Sequence, residues 1–90
     1  MYNLLYANKF KKDYKLIKKR KYKLELLHKI FAELEKNSEL PKKYKPHKLI
    51  NNYVGYWECH IKPDWLLIYK IDEINKIITL ARTGTHSDLF

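Results

Sequence analysis

The 90-residue sequence lacks the features that hold secreted and membrane proteins together. It has one cysteine, Cys59, so no internal disulfide can form, and a reducing compartment suits it best. No apolar run approaches the roughly 20 residues that a membrane-spanning helix needs. The segment from Met1 has neither the basic start nor the long apolar stretch of a signal peptide. We therefore expect a single domain over residues 1–90, a cytoplasmic location and no membrane partner.

Motifs for metal ligation and phosphate binding are also missing. The sequence has no CxxC or HExxH spacing and no phosphate-loop pattern. A zinc site built from Cys59, His60, Asp64 and His86 is a weak alternative, because adjacent strand residues point to opposite faces. Nucleophilic catalysis by Cys59 is equally weak, since strand alternation directs this side chain toward the core. We predict neither a metal nor a cofactor.

Positive charge and aromatic rings are abundant. Nineteen Lys and Arg residues oppose ten Asp and Glu residues, which gives a formal net charge of +9. Such a charge attracts polyanions or an acidic protein partner. Eight tyrosines, three phenylalanines and two tryptophans strengthen the case for nucleic acid, because aromatic faces stack on unpaired bases. Most of these rings are equally compatible with ordinary core packing.

Helical periodicity dominates the first part of the chain. Apolar residues at three- and four-residue spacing predict one helix over residues 9–20 and a second over residues 23–36. A short apolar stretch over residues 2–7 predicts a first strand. The short link between the helices indicates an antiparallel hairpin. The basic run at residues 18–21 is either a solvated helix end or a contact for phosphates.

Strand periodicity follows a basic loop over residues 39–52. Three runs, at residues 56–61, 65–71 and 76–82, are joined by short turns and predict an antiparallel meander. We predict an α+β fold in which the N-terminal strand and the helical hairpin pack on a mostly antiparallel sheet of about four strands. The other face of the sheet is then free to carry a functional site.

Arg82 presents a conflict within this pattern. It shares its side of the last run with Ile78 and Leu80, so strict alternation aims it at a buried face. A bulge or the end of the strand would turn it elsewhere.

Histidine, aspartate and arginine side chains occur near the predicted strand ends, notably at His60, Asp64, Arg82 and His86. These residue types suit RNA cleavage in which the RNA's own 2′-hydroxyl attacks and the enzyme supplies a base, an acid and positive charge. Histidine has an unperturbed pKa of about 6.5, which suits proton transfer. The planar fork of arginine matches phosphate oxygens.

Each of these residues also has an ordinary interpretation. His60 can be merely exposed, and Arg82 can pair with Glu58. Trp65 opens an apolar run, which is typical of a core residue, and His86 can belong to a frayed terminus. The residues are consistent with the chemistry and do not demonstrate it.

Three stretches of the sequence are distinctive. They are YKPHKL at residues 44–49, CHIKPDWLLIY at residues 59–69 and RTGTHSDLF at residues 82–90. Together they resemble the YafQ family of toxins, in the RelE/ParE superfamily of bacterial type II toxin–antitoxin systems. The resemblance runs from end to end of the chain and implies a RelE-like microbial ribonuclease fold.

The resemblance implies an endoribonuclease that cuts mRNA in the decoding site of the ribosome by 2′-hydroxyl attack, without a metal, and so inhibits translation. It also implies three partners: the ribosome, mRNA and a cognate antitoxin similar to DinJ or RelB. We expect that antitoxin to be acidic, as the charge of +9 also suggests.

Site residues follow from the matching motifs. The implied catalytic set is His47, His60, Asp64, Arg82 and His86. Trp65 and Phe90 are implied to stack on bases or to position groups at the site. Four lysines of the basic loop suit contacts with the RNA backbone: Lys42, Lys43, Lys45 and Lys48. Which group is the base and which the acid stays open.

The sequence departs from the family pattern at several positions. Pro46 stands where the family commonly has aspartate, and Lys48 where it commonly has proline. Trp57 stands where arginine is common, and we expect this change to remove a charge beside the site. Two other functions stay open. One is a ParE-like poison of DNA gyrase, which shares the fold without needing catalytic histidines, and the other is a non-catalytic basic module that binds RNA or protein.

Overall fold

The computed structural model describes the backbone of residues 1–90 and every side chain except that of Asn51. The chain contains five strands and three helices. In order they are β1 (Asn3–Tyr6), α1 (Asn8–Lys19), α2 (Leu24–Asn37), β2 (His47–Lys48), β3 (Trp57–Lys62), β4 (Trp65–Asp72), β5 (Ile77–Gly84) and α3 (His86–Leu89). Short 3₁₀ turns precede and follow β2.

The two long helices form the predicted hairpin, with bounds within one or two residues of those expected. Their apolar faces, including Phe10 and Ile17 of α1 and Leu27 of α2, are buried against the sheet. The helix α2 ends where Ser38 adopts a left-handed conformation and its N–H donates to the carbonyl of Leu34. Over the described residues, no helix is long and apolar enough to cross a membrane.

The sheet has the order β1-β5-β4-β3-β2, and only β1 and β5 pair in parallel. The predicted α+β architecture is confirmed, with five strands rather than about four. The additional strand is β2, in which His47 pairs with Glu58 and Lys48 with Trp57. Two polar residues carry no alternating apolar pattern, so only pairing with β3 defines this strand.

The central strand β4 is buried on both faces. Trp65, Leu67 and Tyr69 pack with the helical hairpin in the larger core cluster. Leu66 and Ile68 point to the opposite face, where they form a smaller cluster with Leu89 of α3. The second face is therefore covered near its centre by the C-terminal helix, and the candidate site lies beside that cover.

A β-bulge resolves the orientation of Arg82. Ile68 pairs with Arg82 but Tyr69 pairs with Leu80, so Ala81 is the extra residue on β5. Leu80 joins the larger core while Arg82 falls in register with Ile68, which belongs to the smaller cluster. Of the two outcomes that the sequence left open, the bulge is the one found.

Replacement of Thr83 by valine tests the packing between β4 and β5. The indole Nε1–H of Trp65 donates to Thr83 Oγ1 at 3.0 Å, and that hydroxyl donates to the Leu66 carbonyl at 2.8 Å. Valine keeps the shape but leaves the buried indole N–H without an acceptor. We expect Thr83→Val to lower the free energy of unfolding by ~1–3 kcal/mol, measured by urea denaturation. The control, Thr79→Val on the same strand, should change it by less than about 0.5 kcal/mol.

Candidate active site

A buried carboxylate, Glu58, organises two of the histidines. It is 5% exposed, and its Oε1 lies 3.2 Å from His47 Nε2 and 3.7 Å from His60 Nε2. The Nδ1 atoms of these rings face backbone carbonyls, that of Lys45 at 2.9 Å and that of Pro63 at 3.3 Å. The Nδ1 atom of each ring therefore faces a backbone carbonyl and the Nε2 atom faces the Glu58 carboxylate, so both rings are held in place on this face of the sheet.

His86 is oriented by Asp64. The Asp64 carboxylate accepts from His86 Nδ1 at 2.7 Å and from the His86 backbone N–H at 2.9 Å. These two hydrogen bonds lower the pKa of Asp64 below its ordinary value, the backbone donor having the larger effect. Asp64 is therefore ionised at neutral pH, and Nδ1 must carry the proton. The Nε2 atom of His86 is left to exchange a proton with a substrate.

The helix α3 holds His86 in place through a capping box and an ion pair. Thr85 Oγ1 accepts from the Asp88 backbone N–H at 3.1 Å, and Asp88 accepts from the Thr85 N–H at 2.9 Å. Arg20, at the end of α1, binds both oxygens of Asp88 at 2.7 and 3.1 Å. Gly84 has φ +155°, and a Cβ there would lie 2.8 Å from Asp88 Oδ2, so this close approach requires glycine.

The three histidines form one continuous surface. Ring centroids are 6.2 Å apart for His47 and His60, and 6.0 Å apart for His60 and His86. Phe90 continues the row, 6.4 Å from His86, and it is 64% exposed. Its ring makes an edge contact with Tyr53 at 5.5 Å. The structure thus brings together His47, His60, Asp64, His86 and Phe90 among the predicted site residues.

Arg82 is engaged away from this row. Its Nε and Nη2 donate to the Asp13 carboxylate at 2.7 and 3.1 Å, and Asp13 also accepts from the Thr83 backbone N–H at 3.2 Å. The hydrogen bond with Asp13 is the main reason that the pKa of Arg82 is raised. A side-chain contact with Tyr53 links Arg82 to the edge of the row. The alternative pairing with Glu58 is wrong, because Glu58 faces the histidines instead.

Trp65 does not offer a stacking surface. It is 3% exposed, its ring meets Tyr22 edge to face at 4.9 Å, and its N–H is bound by Thr83. The stacking role proposed for Trp65 is therefore wrong, and the positioning role is the one that its burial allows. Because Trp65 is fixed in the core at the start of β4, the position of the adjacent Asp64 is fixed as well.

Trp57 lies on the face opposite the histidines. It pairs with Tyr69 and packs against the larger core cluster, and Lys48 Nζ lies 5.7 Å from its ring centroid. The expectation that this departure removes a charge beside the site is wrong, because alternation along β3 separates Trp57 from Glu58 and His60. Cys59 is fully buried in the same cluster, and burial raises the pKa of its thiol, as expected for an unreactive cysteine.

The four candidate lysines lie close to His47 in the chain, three before it and one after it. Lys43 and Lys45 line a small cleft with His60. The side chain of Lys48 instead lies over the ring of Trp57. All four side chains are exposed: Lys42, Lys43, Lys45 and Lys48. The first three belong to a 3₁₀ turn and its end, where Lys45 adopts a left-handed conformation. The loop thus presents positive charge beside His60.

Sequence reasoning missed four residues that shape the site: Asp13, Arg20, Tyr53 and Glu58. Glu58 had a usable signal, because it shares the strand face of His60 and glutamate is rarely buried without a partner. Asp13 and Arg20 lie in a lysine-rich helix with no comparable signal. Among the described side chains, no group of three or more His, Cys, Asp or Glu residues has a geometry that could hold a metal ion.

Neutralisation of Asp88 tests whether the ion pair with Arg20 stabilises α3. Arg20 and Thr85 hold the pKa of Asp88 well below its ordinary value of about 3.9. A lowered pKa stabilises the fold fully above the unfolded-state pKa, and this stabilisation is lost as pH falls through the folded-state pKa. We expect Asp88→Asn to cost ~1 kcal/mol at neutral pH and progressively less below about pH 4. Urea unfolding of both proteins across this pH range provides the measurement, and a cost independent of pH would contradict the ion-pair explanation.

Comparisons with known proteins identify the family of the chain. A family model described as "Bacterial toxin of type II toxin-antitoxin system, YafQ" matches residues 2–90. The mRNA interferase toxin YafQ of Escherichia coli strain B / BL21-DE3 is 41% identical over 86 residues, which cover 94% of this chain and 91% of that protein.

Solved structures show the same fold. The match in the crystal structure of the E. coli DinJ-YafQ complex has a TM-score of 0.90 at 38% identity and covers 100% of this chain and 99% of that chain. A metal-bound toxin from Helicobacter pylori gives 0.91 at 39% identity, with 100% of both chains covered. The family resemblance seen in the sequence is confirmed: the chain belongs to the YafQ family of bacterial toxins of type II toxin–antitoxin systems.

Proposed function

We propose that the protein is an endoribonuclease toxin that cleaves mRNA and so inhibits translation. The observation that carries the proposal is the hydrogen-bonded pair of His86 and Asp64. The ring centroid of His86 lies 6.0 Å from that of His60. An ionised carboxylate that fixes the tautomer of an exposed histidine is the arrangement that proton transfer requires. The E. coli relatives named mRNA interferase toxin YafQ support mRNA as the substrate.

The reaction requires no protein nucleophile. The 2′-oxygen attacks the adjacent phosphorus, the bond from phosphorus to the 5′-oxygen breaks, and a 2′,3′-cyclic phosphate and a 5′-hydroxyl result. One protein group takes the proton from the 2′-hydroxyl and another gives a proton to the departing 5′-oxygen. Because histidines can perform both transfers near neutral pH, the reaction proceeds in our proposal without a metal or a cofactor.

His86 is the residue best placed for one of the two proton transfers. Its Nε2 is unprotonated when the ring is neutral, because Nδ1–H is directed at Asp64. In the imidazolium form, the same Nε2 donates. Asp64 holds the orientation of the ring, so Asp64 acts through His86 in this scheme.

His47 and His60 are the side chains available to bind the phosphate beside the cleavage position. The Glu58 carboxylate faces Nε2 of both rings and backbone carbonyls face Nδ1, so both rings are held in place there. Arg82 is held by Asp13, so its guanidinium acts on the phosphate only if that ion pair opens or a phosphate joins it. Phe90 is exposed at the end of the row and is available to stack on a base.

The surroundings of the site suit a ribosome-bound substrate. The exposed loop lysines lie beside His60, and the whole chain carries a charge of +9. Such a surface is attracted to the phosphates of both mRNA and ribosomal RNA. We therefore propose cleavage in the decoding site of the ribosome.

An acidic antitoxin is the protein partner that we propose. The E. coli relative was crystallised in a DinJ-YafQ complex, and the charge of +9 favours an acidic segment in a comparable partner here. We place both partners in the cytoplasm, where mRNA and ribosomes are found. We also propose that residues 1–90 fold as a single domain, since strands from both ends of the chain belong to one sheet.

Replacement of His86 by alanine tests the cleavage mechanism. We expect a loss of mRNA cleavage of about 10²–10⁴-fold, because alanine removes one proton-transfer group. Cleavage of mRNA on purified, programmed ribosomes gives the rate, and mapping of RNA ends after induction in cells gives the cleavage sites. The matched control is His28→Ala, which removes an exposed histidine of α2 remote from the row. Equal cleavage by wild-type protein and His86→Ala would show that the site assignment is wrong.

Further arms of this experiment separate the alternatives. Toxin that has been treated with EDTA and then freed of it should still cleave mRNA on ribosomes kept in Mg²⁺ if the protein holds no metal. Cleavage should require ribosomes if the decoding site is the location. A ParE-like protein would instead block DNA supercoiling by gyrase and leave mRNA intact. A non-catalytic module would bind RNA without cutting it. Expression of the cognate antitoxin should restore growth if neutralisation follows the family habit.

Replacement of Glu58 by glutamine tests whether this carboxylate positions the two histidines. Glutamine keeps the shape but removes the charge that both rings face. We expect kcat on programmed ribosomes to fall about tenfold with no rise in KM, since losing a negative charge does not weaken attraction to RNA. Glu39→Gln, at an exposed position with the same charge change, is the control. An unchanged kcat for Glu58→Gln would overturn this role.

A further inference from the structure

A cavity of about 490 Å³ opens beside Asp64. One wall is the turn between α1 and α2, which contributes Lys21, Tyr22 and Lys23, and the other includes Lys62 and Asp64. We propose that this cavity is a subsite for a nucleotide of single-stranded RNA next to the cleaved phosphate, a proposal that rests on the proposed function. The cavity lies within the range of roughly 300–1,000 Å³ that is common for small-ligand sites.

The charge of the cavity suits a phosphate. Three ammonium groups, those of Lys21, Lys23 and Lys62, oppose the single carboxylate of Asp64. That carboxylate is already engaged by two hydrogen bonds from His86. The lysines therefore dominate the local field, and they are available as point charges for a phosphate.

Arg20 does not share this role, although it belongs to the same basic run. It binds both oxygens of Asp88, and this hydrogen bonding is the main reason that its pKa is raised. Within the run, Arg20 thus anchors α3 and Lys21 lines the cavity, which Lys23 joins from just beyond the run. This division favours phosphate contact over a merely solvated helix end, the two interpretations that the sequence left open.

The aromatic wall suits a base. Tyr22 is half-buried and lines the cavity, and its ring contacts Trp65 at a centroid distance of 4.9 Å with an interplanar angle of 71°. Trp65 is itself locked by its hydrogen bond to Thr83. A rigid aromatic side chain among lysines is the combination with which proteins hold single-stranded nucleic acid.

A second basic cleft lies on the other side of the turn between β3 and β4. Lys43, Lys45 and His60 line it, and it shares Lys62 with the first cavity. The β3–β4 turn lies between the two clefts, since Asp64, which orients His86, borders one and His60 borders the other. A single strand that crosses this turn has positive charge on both sides of the phosphate to be cut. The β3–β4 turn is thus the centre of the proposed RNA path.

The test measures binding and cleavage separately. The binding probe is a short fluorescent RNA with 2′-O-methyl groups, which cannot be cut by 2′-hydroxyl attack. Each phosphate contact contributes about 0.7 to the slope of log K against log salt for single strands, so Lys21→Gln/Lys23→Gln should lower that slope by about 1.4. We expect the Kd for this probe to rise at least about fivefold at low salt.

The matched control is Lys29→Gln/Lys36→Gln, which removes the same charge from exposed positions of α2. It should raise the Kd by less than about twofold, because it lowers only the overall positive charge of the protein. Tyr22→Phe should bind as the wild type does, whereas Tyr22→Ala should lose about fivefold or more in affinity. Thermal unfolding of each variant separates a loss of binding from a loss of folding.

The outcomes distinguish the subsite from the proposed function. If the lysine variant loses affinity for the probe while the wild type fails to cut mRNA, the subsite stands and the cleavage proposal fails. If the wild type cuts mRNA and the lysine variant binds the probe as the control does, the subsite is wrong. A loss of binding to empty ribosomes with unchanged affinity for the probe would assign the lysines to ribosomal RNA instead, and would also overturn the subsite.

Discussion

The two-sided burial of β4 is the constraint on which the site depends. Five successive residues of this strand, from Trp65 to Tyr69, are at most 3% exposed, so both faces of the sheet need a cover at this point. The helical hairpin covers one face, and the other must be covered by what remains of the chain. Leu89 of α3 does this, packing on Leu66 and Ile68. Because His86 and Phe90 flank Leu89, the burial of one leucine brings both to the histidines of β2 and β3.

Charge imposes a second constraint on the same face. Glu58 is nearly as buried as the core, and a buried carboxylate is costly unless it has partners. His47 and His60 supply those partners, so stability and the proposed chemistry draw on the same three side chains. The bulge at Ala81 similarly turns Arg82 out of the core and into reach of Asp13. Both charged groups are therefore fixed by local backbone geometry before any substrate binds.

The sequence predicted the parts of the fold that rest on long periodic patterns. The helical hairpin and the three-stranded meander were found within a few residues of the expected bounds. It did not predict β2 or α3, because two and four residues are too short to show a period. The proximity of His86 to Asp64 could be expected from the family resemblance but not from spacing, since 22 residues separate them. The partners of Arg82 and Glu58 were missed because ion pairs between distant segments leave no trace in local sequence.

Trp57 illustrates where such reasoning errs. Because Trp57 stands where the family commonly has arginine, it was expected to change the site. Strand alternation, however, already placed Trp57 on the opposite face from His60. Period-two geometry is the stronger argument for position, because one residue along a strand reverses the side-chain direction.

Contacts from the turn between α1 and α2 make this turn a second determinant of the site. Arg20 reaches α3 through Asp88, while Tyr22 contacts Trp65 at the start of β4. This turn therefore touches both segments that hold the His86–Asp64 pair, although it lies on the helical side of the sheet. A change there can alter the orientation of the His86–Asp64 pair without touching it. The lysine-rich helices, the least distinctive part of the sequence, thus meet at a turn that contacts segments on both faces of the sheet.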